Sequence, residues 1–388
     1  MLRRLSRELS VRAVLVMVPA LLIPGFFLGR GEAASNKAPT APAVVHCSRV
    51  EFSQAPVWTT SGAWSNGRLI LVDSGARAVR QYLPSGRMVS DLSPKLSEDF
   101  GRYSPSRIEP LSGDRFLLEM ANDRMVTFNK AFQVETKADV IRKVPAAKGA
   151  SGARIRSLNV WAVATSPNGG EDEILGFGDI SRGDQWQFGV FRFPISHPEN
   201  FDILEASTVP PPSVPSRIFY RLGMHYLTAI GDTGYVLQME SRLGLFRNPK
   251  GSKGLEFVRD MGVGPILPNF VAREDLPSVM RAVEQSSMPV GIWGWEKYLF
   301  VLSREPRETG TRWTLTRLDL QQRPAQQVTG SVVLPTQAHH LTVVPGPDSW
   351  AFVEKGPVRS FGAQDIDSLV LVPAQALRGS LHARFVIE

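Results

Sequence analysis

Short apolar runs bounded by turn residues recur along most of this chain. Six of them share one shape: "LILVDS" (69–74), "RFLLEM" (115–120), "EILGFG" (173–178), "GYVLQM" (234–239), "YLFVLS" (298–303) and "SWAFVE" (349–354). Aligned on the last strand position they fall at 73, 119, 177, 238, 302 and 354, with steps of 46, 58, 61, 64 and 52 residues. Upstream of each lies another apolar stretch ending in a Gly, Asn or Asp turn, as in "VWTTSGAWSNG", "MHYLTAIGDTG" and "HHLTVVPGPD". Downstream lies an alternating stretch such as "AVRQYLPSG" or "WTLTRLDLQQ", the period-2 signature of a half-exposed strand. A weaker fourth strand follows in "MVSDL" (88–92), "FDILEA" (201–206), "LEFVRD" (255–260) and "QQVTGSVVL" (326–334).

Three or four antiparallel strands per step of about fifty residues, six times over, predict an all-β fold: a six-bladed β-propeller of four-stranded antiparallel blades. A single large sandwich gives no reason for the buried second strand to return in step. Either "HCSRVEF" (46–52) or "HARFVIE" (382–388) supplies the outer strand that closes the ring. Two insertions break the rhythm. Residues 262–287 carry a predicted short helix from about Asp275, with Leu276, Val279, Met280 and Val283 on one face. "SREPRETGTRW" (303–313) is a long charged hairpin tip.

The first unit resembles the NHL-repeat and SMP-30-like (TolB-like) group of six-bladed propellers. Their repeats run strand, Val-Ala-Asp-Ser/Thr-Gly, Asn-x-Arg, strand, Asp-x-x-Gly, and "LVDSGARAVRQYLPSG" follows that order closely. The second unit, "LLEMANDRMVTF", keeps Asn122, Asp123 and Arg124 and puts Glu119 in place of the Asp. Units three to six keep only the hydrophobic rhythm. The resemblance implies the architecture and leaves the activity open, because the group includes lactonases, lyases and binding modules. In such repeats the acidic residue after the second strand accepts turn amide protons, so Asp73 reads as a structural device.

The first 33 residues change the picture of the chain's destination. Arg3, Arg4, Arg7 and Arg12 precede the apolar run "AVLVMVPALLIPGFFLG", and small residues follow near Ala33, which reads as a cleaved signal peptide with no lasting membrane span. Residues 34–45 read as a flexible spacer and 46–388 as the propeller, placed in a bacterial periplasm or secreted. Loss of the leader removes five Arg and two Glu, so the formal charge falls from +7 to +4. A charge of that size on so large a domain speaks for solubility and against a nucleic-acid partner. Cys47 is the only cysteine, so burial and not an internal disulfide supplies the stability.

Candidate chemistry is sparse. Reading the first strands back from their turns places Thr60, Arg107, Trp161, His225, Val290 and either His339 or His340 near one mouth of the channel, since alternation turns the two histidines opposite ways. Arg107, His225 and one of the pair then form a small cationic cluster suited to a carboxylate or another anion. A lactonase-type centre needs several oxygen ligands for a hard cation, and the channel-facing stretches offer Glu109 and Asn159 with little else acidic, so no metal or other cofactor is expected. "EDE" (171–173) reads as a solvated turn, and "DIDS" (365–368) as an isolated carboxylate pair. Of the eight tryptophans, most read as wedges between blades, whereas Trp293 and Trp295 share a side and suit stacking on a sugar or peptide if exposed. Two function classes follow: a binding module for a small ligand or protein partner at the channel mouth, or a propeller hydrolase or lyase acting on a lactone, sugar or peptide.

Overall fold

In the computed structural model the six apolar runs are the second strands of six small sheets. Residues 43–100, 104–120, 124–139, 153–166, 170–182, 185–207, 225–239, 242–263, 285–308, 310–322, 328–356, 368–379, 381 and 383–388 are described, all within the unit Pro42–Glu388. The leader and most of the spacer, the helix predicted near Asp275 and the two aspartates of "DIDS" lie outside them.

The strand β1 (Val44–Val50) is the first of the described strands and belongs to the last blade. Blade 1 is β2 (Thr59–Ser65), β3 (Arg68–Asp73), β4 (Ala78–Tyr82) and β5 (Met88–Asp91). The helix α1 (Ser93–Phe100) leads to blade 2, made of β6 (Pro105–Leu111), β7 (Arg115–Met120), β8 (Arg124–Phe128) and β9 (Val134–Asp139). Blade 3 has β10 (Ala153–Ile155), β11 (Val160–Ala164), β12 (Glu173–Arg182), β13 (Gln185–Pro194) and β14 (Asp202–Ser207). Blade 4 is β15 (His225–Ile230), β16 (Thr233–Met239), β17 (Arg242–Asn248) and β18 (Glu256–Val263). Blade 5 is β19 (Met288–Trp295), β20 (Tyr298–Arg307), β21 (Gly310–Asp319) and β22 (Val328–Val333). Blade 6 holds β23 (His340–Val344), β24 (Ser349–Lys355), β25 (Ser368–Pro373), the short helix α2 (Ala374–Arg378) and β26 (Arg384–Ile387).

Tight hairpins set the first strand against the second. In blade 1 the turn is Asn66-Gly67, with φ of 49° and 69°, the doubly left-handed geometry for which Asn-Gly is suited. The middle of each second strand is apolar because each blade is buried on both faces. Leu69 and Leu71 pack with Val344, Val353 and Leu369 of blade 6, while Ile70 and Val72 between them pack with Ile108, Phe116 and Leu118 of blade 2. All six core clusters sit on the six seams between neighbouring blades, so the hydrophobic stabilisation belongs to the ring.

Both stretches named as closing strands take part. β1 runs antiparallel to β25, with Ser48 opposite Leu371, and parallel to β26, with Val44 opposite Arg384. The sheet order β23-β24-β25-β1-β26 therefore holds both ends of the described chain in one blade. Arg317 secures the neighbouring seam: its Nη1 donates to the carbonyls of Leu377, Arg378 and Gly379 at 2.7 Å, where α2 ends, and its guanidinium lies over Tyr298. Blade 3 departs from the simple pattern. Its first strand is split into β10 and β11, which pair with opposite halves of β12, and Ser157 in the gap donates to Asp179 at 2.8 Å.

Candidate site at the channel mouth

Every blade runs from its inner strand outward in the same order, so the starts of β2, β6, β15, β19 and β23, with the β10–β11 pair, ring one mouth of the channel. The ends of the second strands come to the same mouth. Asp73, at the end of β3, is fully committed there: it accepts from the amides of Val57, Trp58 and Ala76 at 2.8 to 3.0 Å and from Arg80 Nη1 at 3.1 Å. It is a turn device, and it pins the Val57–Trp58 segment to the mouth. Glu119 holds the matching position in blade 2 and turns outward to the next blade, accepting from Trp161 Nε1 at 2.9 Å.

Arg107 and Trp161 are brought together. The Arg107 guanidinium lies 5.0 Å from the Trp161 ring, and two of its nitrogens bond Glu109 Oε1 at 2.7 and 2.9 Å. Residues 107 and 109 share one face of β6, which is why the pair forms. Glu109 thus faces Arg107 and shares its exposure. Trp161 itself is 1% exposed, wedged in the seam between blades 2 and 3.

His225 opens β15 and is buried, its ring stacked on Phe177 with centroids 3.9 Å apart and 10° between planes. Burial pushes its pKa down to about 4, so the imidazole is neutral at physiological pH. His339 and His340 divide as alternation demands. His339 is exposed beside a polar surface cleft lined by Arg49, Glu51, Glu354 and Ser368. His340 is half-buried against Trp58, with ring centroids 6.1 Å apart. Its pKa is also lowered to about 4, by burial first and then by the nearby positive charges of Lys355, Arg304 and His339. The described contacts join Arg107 to Trp161 and His340 to Trp58, and neither His225 nor His340 carries positive charge at neutral pH.

Lys355 escaped the sequence reading. It follows an apolar run, "WAFVE", and sits directly across from His340 in the β23–β24 pair. Only 4% exposed, it donates to the Thr59 carbonyl and places Nζ 4.3 Å from the centre of the Trp58 ring. Burial lowers its pKa to about 8, against the opposing pull of Asp73. A lysine closing a buried strand was the available signal. Elsewhere, Asp172 of "EDE" is buried and bridges blades, accepting from Ser112 and Arg115 of the hairpin in blade 2, so that motif is not simply solvated. Trp293 and Trp295 are half-buried: Trp295 meets Trp350 edge-on at 5.9 Å and lies under Arg378. Among the described residues, no group of three or more His, Cys, Asp or Glu is placed to hold a metal ion.

No protein-family model matches the chain, and no curated protein matches it. Solved structures similar to it include a member of the DUF4221 family from Bacteroides vulgatus ATCC 8482, at 6% identity and a TM-score of 0.47, covering 86% of this chain and 97% of that one. The phage phi92 endosialidase matches at 8% identity and a TM-score of 0.43, covering 87% and 71% respectively. A PQQ-bound aldose sugar dehydrogenase from Streptomyces coelicolor matches at 13% identity and a TM-score of 0.40, over 86% and 99%. At such distances the residues of the mouth themselves are the guide to function.

Proposed function

We propose that this propeller is an exported binding module of the NHL-repeat and SMP-30-like kind, with residues 1–33 as a cleaved signal peptide and 34–45 as a spacer. It engages a small ligand or protein partner at the channel mouth through Arg107, Trp161, His225, His339 and His340. The observation that carries this reading is the division of labour at that mouth. Trp161 and His225 are buried and fix the wall, while Arg107 and His339 keep atoms exposed on a rigid, fully paired scaffold. The second reading, a lactonase-like hydrolase or lyase, rests on the resemblance of the first unit alone. It lacks support from the mouth, where the nearest carboxylates, Asp73, Glu109 and Glu119, each already accept a hydrogen bond.

A thermal-shift screen of sugars, lactones and short peptides, run beside metal analysis of the purified protein, tests both readings. A hit whose affinity falls at least about tenfold in Arg107→Ala or His339→Ala supports the module. Hits untouched by both substitutions refute this mouth as the site. Stoichiometric metal with lactone turnover would establish the enzyme instead. N-terminal sequencing of protein recovered from periplasm or medium checks the leader, with a first residue near position 34 expected.

A further inference from the structure

We propose that the end of the propeller opposite the channel mouth carries a second small-molecule site, a pocket between blades 2 and 3 that takes an α-amino acid with an aliphatic or thioether side chain. It shares no residue with the mouth and stands independently of the reading given to it.

Because the first strands start at the mouth, β6 ends and β7 and β12 begin at the opposite end. There the seam between blades 2 and 3 opens into a cavity of about 250 Å³ walled by Leu111, Leu117, Met125, Ile174 and Ile195. An apolar cavity of about 150 Å³ already holds benzene, so this one has room for a branched or thioether side chain and little more. Thr127 stands among these walls, on the same face of β8 as Met125. It is 5% exposed, and its hydroxyl makes no hydrogen bond among the described residues. A buried hydroxyl that faces a cavity without a partner leaves a donor and an acceptor for an occupant.

The rim supplies charges of both signs. Asp172 is saturated, accepting from the amide and hydroxyl of Ser112, the amide of Ser166 and, at 3.4 Å, Arg115 Nη2. That contact, with a 3.0 Å bond from Arg115 Nε to the Ser112 carbonyl, holds the guanidinium at the rim and leaves Nη1 without a partner among the described residues. Glu171, next to Asp172 in the chain, reaches Ser196 instead. Its Oε1 accepts from the Ser196 amide at 2.8 Å and from the hydroxyl, and its Oε2 accepts nothing among the described residues. Lys250 Nζ comes near Gly170, yet makes no ion pair with Glu171 among the described residues. An open guanidinium edge and an open carboxylate oxygen over one apolar cavity are the complement of a zwitterion, with its carboxylate on Arg115, its ammonium on Glu171 and its side chain among the aliphatic walls. A simple carboxylate would leave Glu171 uncompensated, and an alkylamine would leave Arg115 so.

The probes are L-leucine and L-methionine, titrated calorimetrically into the full chain beside isovalerate, which lacks the ammonium, and isoamylamine, which lacks the carboxylate. Saturable one-to-one binding is expected for at least one amino acid, with both comparators at least about tenfold weaker. Arg115→Gln and Glu171→Gln should each weaken it at least about tenfold, Thr127→Val several-fold, and Arg107→Ala at the mouth not at all. If Arg115→Gln does not fold, Glu171→Gln and the two comparators on the unaltered protein decide. No saturable binding of either amino acid at millimolar concentration, a comparator that binds as tightly as leucine, or binding indifferent to both rim substitutions overturns the pocket. Binding lost in Arg107→Ala but kept in the rim variants would overturn it while upholding the mouth as the ligand face.

Discussion

Acidification should loosen this protein through His225, by an amount that can be worked from its surroundings. The imidazole is stacked on Phe177 in the seam between blades 3 and 4, and burial lowers its pKa from 6.5 to about 4. A base whose folded pKa is depressed stays neutral in the fold while the unfolded chain takes up a proton. Its contribution is therefore complete above pH 6.5, falls as the pH drops through the window from 6.5 to 4, and levels off below it. At about 1.4 kcal/mol per pH unit the full gap is worth about 3 kcal/mol, and the portion lost between pH 7.5 and 5 is about 2 kcal/mol. Urea unfolding at the two pH values measures it, and His225→Phe, which keeps a flat ring against Phe177, isolates it from other titrating groups. The variant should lose about 2 kcal/mol less than the parent over that interval. Parallel losses in the two proteins would refute the reasoning, since His340 and the carboxylates are common to both.

Asp73→Ala strips acceptors from three backbone amides and Arg80 at once, and should cost about 3–5 kcal/mol in urea unfolding; a loss under about 1 kcal/mol would contradict the turn role. Cys47 is fully buried in β1, with its thiol pKa pushed up from 9.0 to about 11. Iodoacetamide at pH 8 should therefore label the native protein at least about 100-fold more slowly than the urea-unfolded chain, by mass spectrometry, and equal rates would mean that β1 is not docked.

The propeller was legible because its periodicity is a packing requirement. A blade covered on both faces needs a continuous apolar second strand, and all six positions aligned in the sequence fall inside β3, β7, β12, β16, β20 and β24. The split first strand of blade 3 was not legible, because β10 has only three residues and the gap after it is held by a Ser157–Asp179 bond whose partners are 22 residues apart. The mouth was half legible. Strand starts named the candidates, and alternation separated His339 from His340. What each side chain meets depends on the neighbouring blade: Arg107 finds Glu109 and Trp161, His225 finds Phe177, and Lys355 finds Thr59 and Trp58 across the seam that joins blade 6 to blade 1. Contacts between residues 296 positions apart, as for Lys355 and Thr59, leave no local trace in sequence.

The place of β1 between β25 and β26 bears on biogenesis. Both of its partners follow it along the chain only after the strands of the other five blades, so this keystone must wait, with two bare edges, while those blades are made. Truncation just after β24 would remove both partners together and leave β1 free to recruit a strand from another molecule, making fragments of this protein natural prey for chaperones and proteases.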